Sequence, residues 1–369
     1  MLIYKKVLEE YFNKLGIDLN DNNLIEINND DFYRIVLNKG FLGLAESYIS
    51  GLWNSKNLDV FLYNILLNQL DRKTPVSLEI IASKIFAKVF NLQSVSRAFE
   101  VGEHHYDIGN DLYKLMLDKE LNYSCAYWKD AETLDQAQEN KLDLICRKLE
   151  LEKGMKVLDI GCGWGSFARH ACRNYGVEVE GYTVSIEQKK LADELNKGLP
   201  IQIHLQDYRE ISDKYDRVVA IGMLEHVGYK NYDTFFKKVA DSLNQDGLAL
   251  IHTIGNNYSQ TSGNVFINKY IFPNCMAPSV NQISKAVENI LLIEDLHNFG
   301  PDYDLTCMAW YKNFAANWDK IKEQYTEEFK RMWEFYLLAA CANFRARDAQ
   351  LWQFVFSKPG ARQLNIRKS

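Results

Sequence analysis

Apolar positions along the chain change their period near Lys153. Before it, Tyr4 to Leu15 and Leu58 to Leu70 carry apolar side chains at helical spacing. Between them, Gly40-Phe41-Leu42-Gly43-Leu44 reads as a turn-rich break. After Lys153, short apolar runs alternate with helix-compatible stretches. Val157–Ile160, Val177–Tyr182, Ile201–Gln206, Asp216–Ile221 and Gly247–His252 predict five strands. Ser166–Tyr175, Ser185–Leu195 and Asp233–Leu243 predict helices among them, and Leu291–Leu296 and Leu351–Phe356 two late strands. Two aromatic helices, about 305–322 and 326–344, fall between the late strands. The order predicts an α/β fold, a doubly wound and mainly parallel sheet with helices on both faces. A smaller, mostly helical domain over residues 1–90 precedes a second domain over 91–369, and residues 255–289 are expected as an insertion over the sheet's carboxyl edge, where open α/β sheets bind ligands.

Composition narrows the class. Apolar residues make up 47% and charged residues 25%, enough for a sizeable core and too apolar for disorder. No run of about 18 apolar residues predicts a membrane span, and the first ten residues lack the uninterrupted apolar stretch of an export signal. Seven cysteines without a CxxC pair read as free thiols in a reducing cytoplasm, with no metal site. A net charge of −6 argues against nucleic-acid binding. The end of the chain is nevertheless basic: Arg345, Arg347, Lys358, Arg362, Arg367 and Lys368 stand against Asp348 alone. Such an end beside aromatics suits either an anionic membrane surface or a solvated tail.

Candidate chemistry gathers where strands end. Asp159-Ile160-Gly161-Cys162-Gly163-Trp164-Gly165 places glycines at alternate positions between a strand and a helix, so that a ligand can lie against the backbone at the helix N-terminus. The pattern is GxGxG, because Ser166 stands where a dinucleotide loop has its third glycine; S-adenosylmethionine is favoured over NAD, with a tight structural turn as the plain alternative. Gln206-Asp207 ends the third strand, where a carboxylate can accept from an adenine amino group. Glu180, 19 residues after Gly161, would meet the ribose hydroxyls by general cofactor logic, or be a solvated alternate position in Val-Glu-Val-Glu, the latter being preferred. The fourth strand runs into Gly222-Met223-Leu224-Glu225-His226-Val227-Gly228, and His252 ends the fifth. If those strands are neighbours, Glu225 and His252 form a pair able to handle a proton.

These stretches carry a resemblance. Tyr123-Ser124-Cys125-Ala126-Tyr127-Trp128, Val157 to Gly165, Gly222 to Gly228 and His252-Thr253-Ile254-Gly255 resemble bacterial cyclopropane-fatty-acyl-phospholipid synthases, kin to the mycolic acid cyclopropane synthases. So do Glu103 to Leu112, Ile267 to Pro273, His297 to Gly300 and Phe344 to Asp348. The resemblance implies a Rossmann-like class I methyltransferase fold with a seven-stranded sheet. It implies transfer of a methylene from S-adenosylmethionine to the cis double bond of an unsaturated phospholipid, by methyl transfer, bicarbonate-assisted deprotonation and ring closure. The implied bicarbonate site comprises the side chains of Glu225, His252 and Tyr311 and the backbone of Cys125 and Ile254. The implied cofactor contacts are Tyr123, Ser124, Gly161, Gly163, Gly165, Thr183, Gln188, Gln206 and Asp207. Cys341 is expected to be structural. The resemblance also implies a homodimer; because the implied substrate lies in a bilayer, peripheral association with the cytoplasmic face of the membrane is expected, with the helical domain and the basic end as candidate docking surfaces. Two other functions share the loop: a plain methyltransferase, and a lipid-binding protein without catalysis.

Overall fold

The computed structural model describes residues 2–14, 16–68 and 109–362. The motif over Glu103 to Ile108, the expected domain boundary near residues 90–100, the end of the helix predicted to reach Leu70, and the basic Arg367 and Lys368 lie outside them.

Seven strands form one sheet: β1 (Lys156–Ile160), β2 (Glu178–Thr183), β3 (Ile201–Leu205), β4 (Tyr215–Ile221), β5 (Leu243–Asn256), β6 (Leu292–Asn298) and β7 (Ala349–Ser357). Their order across the sheet is β3-β2-β1-β4-β5-β7-β6. The first five are parallel neighbours, and β6 runs antiparallel to β7. Chain order reverses between β1 and β4, which opens a crevice at the carboxyl ends of those strands. Strand alternation fills a core on each face. Leu158, Val218, Ala249 and Phe354 point to the side covered by helix Tyr232–Ser242, with Phe235, Phe236 and Val239. Val157, Val219, Leu250 and Val355 point to the side covered by helices Leu134–Lys148 and Ser166–Tyr175.

The described residues group into two compact units. One contains this sheet. The other joins the N-terminal helices Leu2–Asn13, Asp31–Ile49 and Leu58–Leu67 to the segments 264–273 and 303–349. This packing differs from a division at residue 90 in chain order. The reason is an aromatic core: Phe335 of helix Glu327–Arg345 lies 5.7 Å from Tyr48 and 5.2 Å from Phe266. Arg331 donates to the carbonyls of Tyr48 at 2.6 Å and Trp53 at 2.9 Å, and Arg345 pairs with Asp59 and Asp304. Arg345 is thus committed inside this unit rather than to a basic tail. The predicted break over Gly40–Leu44 is a kink within helix Asp31–Ile49: Gly40 takes φ 56°, and the helix resumes after it. Of the predicted insertion, Val280–Val287 is a helix packed on Tyr232–Ser242, while 264–273 belongs to the helical unit.

Candidate active site

β1 delivers Asp159, 2% exposed, to the head of the glycine loop. Gly161, Gly163 and Gly165 all take positive φ, which a side chain resists. The loop is fastened by Gly161 and Cys162 amides donating to the Tyr182 carbonyl at 2.9 and 3.1 Å. A Cβ on Gly161 would strike the Met223 side chain at 3.0 Å, so the β1 and β4 loops touch. A Cβ on Gly163 would meet nothing nearer than Gln188 Nε2 at 4.0 Å. This is open backbone in a conformation that suits close approach of a ligand. Thr183 Oγ1 donates to Gln188 Oε1 at 2.9 Å, and Ser185 caps the helix carrying Gln188. At the end of β3, Gln206 N donates to the Thr183 carbonyl at 3.0 Å. Asp207 is gripped by Arg209 through Nε and Nη2, each at 2.7 Å. Its Oδ1 also accepts from the Arg209 amide at 2.9 Å, so Oδ2 is the oxygen that retains a lone pair for a ligand. The cofactor residues read from the sequence in strands β1 to β3 thus share one edge.

Tyr123, next to Ser124, approaches the same loop through Tyr113. Tyr123 meets Tyr113 edge-on at 5.2 Å, and Tyr113 lies 5.2 Å from Trp164 within the loop. Glu180, by contrast, sits in mid-strand opposite Leu158 and Gln202 and accepts from the Tyr215 hydroxyl at 2.8 Å. It is tied into the sheet, away from its carboxyl edge.

β4 and β5 are neighbours with Ile221 opposite His252, and Gly222 N donates to the His252 carbonyl at 2.9 Å. Glu225, 6% exposed, follows on a four-residue helix, Leu224–Val227. Its Oε1 accepts from the Ile254 amide at 2.6 Å. That amide is therefore committed to Glu225, and Ile254 serves the site by fixing the carboxyl group. Glu225 Oε2 and His252 Nε2 are buried and have no hydrogen-bond partner among the described residues. Burial raises the Glu225 carboxyl to about 7, against which the Ile254 amide acts only partly. Burial also drives His252 well below the usual imidazole range, helped by the cations of Lys141 and Lys148. His252 Nδ1 faces Gln353 Nε2 at 3.3 Å. A carboxamide nitrogen only donates, so Nδ1 accepts and the ring hydrogen resides on Nε2. A neutral carboxyl and an Nε2–H give two donors, which suits a small anion.

His226 is neutral as well, its imidazole lowered to about 4 by burial alone. Cys125 is wholly buried in the sheet-bearing unit, near enough to Lys141 to feel its charge. Tyr311 belongs to helix Pro301–Asn317 in the helical unit, where burial and the acid Glu334 raise its phenol. Cys341 is fully buried there. The aromatics of the two late helices are mostly core: Trp310, Phe314, Trp333 and Phe335 are at most 1% exposed.

Other residues of the site gave no periodic signal. Gln353 orients His252 from β7. Arg169, 2% exposed, donates to the Trp164 carbonyl and to Glu120 Oε2, tying the loop's end to Glu120. Gln138 and Lys141, each 1% exposed on helix Leu134–Lys148, hold Asn122 and Ser124. The signal that finds this helix is its capping box, Thr133-x-x-Gln136.

The chain matches the family model described as mycolic acid cyclopropane synthetase over residues 93–354. The cyclopropane-fatty-acyl-phospholipid synthase of Escherichia coli (strain K12) is 49% identical over 96% of this chain and 93% of its own length. A probable fatty acid methyltransferase of Pseudomonas putida is 36% identical over 71% of this chain and 70% of its own. Among solved structures, a mycolic acid cyclopropane synthase complexed with SAH and CTAB superposes with a TM-score of 0.67 at 31% identity, covering 70% of this chain and 98% of that one. A cyclopropane synthase from Mycobacterium tuberculosis gives 0.67 at 29%, with the same coverage. The seven-stranded sheet and its helices are those of the class I methyltransferase fold. The glycine loop, the strand-end Glu225 and His252, and these matches agree: the chain belongs to the mycolic acid cyclopropane synthetase family of S-adenosylmethionine-dependent enzymes.

Proposed function

We propose that this chain is a cyclopropane-fatty-acyl-phospholipid synthase, moving a methylene from S-adenosylmethionine onto the cis double bond of an unsaturated phospholipid acyl chain. The observation that carries the reading is the pair of buried, unpartnered atoms, Glu225 Oε2 and His252 Nε2, at adjacent strand ends beside the open glycine loop. S-adenosylmethionine supplies an electrophilic methyl on a sulfonium, and bicarbonate supplies a small base. Gly161, Gly163, Gly165, Thr183, Gln188, Gln206 and Asp207 with Tyr123 and Ser124 would hold the first, and Glu225 and His252 would hold the second. Their donors fit an anion, since burial raises the carboxyl to about 7, so that its protonated form persists near neutrality, and the imidazole presents Nε2–H. The Ile254 amide fixes the Glu225 carboxyl, and Cys125 and Tyr311 are assigned to the bicarbonate on the family resemblance. Product formation requires loss of one proton from the carbon delivered, so a buried group set near neutrality matches that task. Burial also keeps water from cationic carbon.

The substrate lies in a bilayer, so the same proposal places the enzyme on the inner face of the membrane, without a spanning helix among the described residues. Leu2, Ile3 and Val7 of the first helix are exposed beside Lys5 and Lys6, which suits a lipid surface. Pairing of two chains would strengthen weak membrane contacts. The test is incubation with labelled S-adenosylmethionine and vesicles of unsaturated phospholipid, followed by mass spectrometry of the fatty acids and sedimentation of the vesicles. The expected product gains one CH2 and loses its alkene, and the chain pellets with the vesicles. A methyl-branched or unsaturated product would keep methyl transfer and reject cyclisation. Normal product with no pelleting would reject the stable docking.

A further inference from the structure

Beneath the site lies a lysine that core packing does not explain. Lys141 is 1% exposed, and its Nζ donates to Asn122 Oδ1 and Ser124 Oγ, both at 3.0 Å. Gln138, one turn earlier on the same helix face, donates to the Ser124 carbonyl at 2.9 Å. Asn122 is held in turn by Asp118, through its amide at 2.7 Å and its Nδ2 at 2.8 Å. Two side chains of one helix therefore suspend the segment from Asn122 to Ser124. A buried ammonium facing neutral oxygens is costly, and an apolar side chain of equal length would fill the space at lower cost. The lysine's cost points to work done at the site.

Two routes lead from Lys141 to the glycine loop. The first is mechanical: Ser124 adjoins Tyr123, which packs on Tyr113, which packs on Trp164 in the loop. The second is electrostatic: Lys141 acts on Asp159, the 2% exposed carboxyl that opens the loop. It also acts on His252 across the site, and on Asp118 and Cys125. We infer that Lys141 is a positioning residue for methyl transfer, clamping the segment from Asn122 to Ser124 that packs through Tyr123 and Tyr113 on the cofactor loop. This rests on the proposed cofactor site, since Ser124 matters only if it meets the cofactor.

The experiment uses the full chain with Lys141→Met, Lys141→Arg, Ser124→Ala and the double variant Lys141→Met/Ser124→Ala. Binding of S-adenosylhomocysteine is measured by calorimetry, and turnover with unsaturated phospholipid vesicles. Lys141→Met is expected to weaken S-adenosylhomocysteine binding by ~10-fold, as loss of a charged hydrogen bond predicts, with Lys141→Arg recovering part of it. The double variant should bind no worse than Lys141→Met, because one clamp is being removed twice. Unchanged affinity and turnover in Lys141→Met, or losses that add in the double variant, would overturn the inference. Should Lys141→Met not fold, Lys141→Gln, which keeps a donor and loses the charge, is judged by the same criteria. The binding arm needs no ring product: wild-type chain that binds S-adenosylhomocysteine but makes no product counts against the proposed function, and the variants still decide the role of Lys141.

Discussion

His252 owes its chemistry to a neighbour 101 positions along the chain, Gln353, whose amide faces Nδ1 at 3.3 Å and leaves the hydrogen on Nε2. Both residues are at most 1% exposed, so no water competes for that bond. Replacing Gln353 by leucine keeps the volume and removes the donor, which frees the ring to change tautomer. Gln353→Leu is therefore expected to lower kcat by roughly 10-fold, the scale on which an orienting partner of a functional histidine acts. Affinity for S-adenosylhomocysteine should stay within about twofold, because Gln353 bonds His252 and not a proposed cofactor residue. Single-turnover kinetics beside calorimetry separates the two. Equal losses in both would mean that Gln353 merely supports the fold.

At the scale of elements, β5 is aimed by a glycine. A Cβ on Gly255 would lie 2.0 Å from the Trp352 ring, a distance no rearrangement of the indole alone relieves. Gly255→Ala must push β5 from β7 and carry Ile254 and His252 with it. A loss of about 2–3 kcal/mol in urea unfolding is expected, with activity falling further than stability. The elements that position the site were largely legible in the sequence, because the inner strands read as apolar runs and the edge strand β3 as an alternating one: β1, β2, β3 and β4 lie within a residue of their predicted bounds. β5 begins four residues earlier than predicted, since Asn244, Gln245 and Asp246 are exposed and break the apolar run. Helix Leu134–Lys148 escaped because it buries Gln138 and Lys141 on its inner face, so polarity there reports ligation rather than exposure. The glycine loop, Glu225 and His252 announced themselves by ending strands. Gln353 and Arg169 did not, because their partners are set by tertiary packing and leave no period.

At the scale of the whole molecule, the site stores charge burial that weighs on folding. Glu225 titrates near 7 in the folded chain instead of 4.5, because its ionised form is desolvated. Asp159 is likewise raised to about 7 by burial, with Lys141 opposing. Folded chain then holds more protons than unfolded chain between the ordinary carboxyl range and neutrality, so these groups make stability fall as pH rises through that window. His252 and His226 act the other way. Their folded pKa values are depressed, so their contribution is present above about 6.5 and is lost as pH falls. Because the two sets offset each other in the wild-type profile, a difference between variants isolates one of them. Glu225→Gln keeps an acceptor for the Ile254 amide and has no proton to lose. Relative to wild type its stability should climb from pH 4.5 to about 7 and then level, by at most about 3 kcal/mol for a shift from 4.5 to about 7. Urea unfolding of both chains at pH 5 and pH 8 measures this, and a difference independent of pH would show that Glu225 ionises freely when folded. The same variant should fail to make the ring product. A chain made more stable at neutral pH and inactive by one atom pair would show that the buried carboxyl is kept for chemistry, at a cost the fold bears.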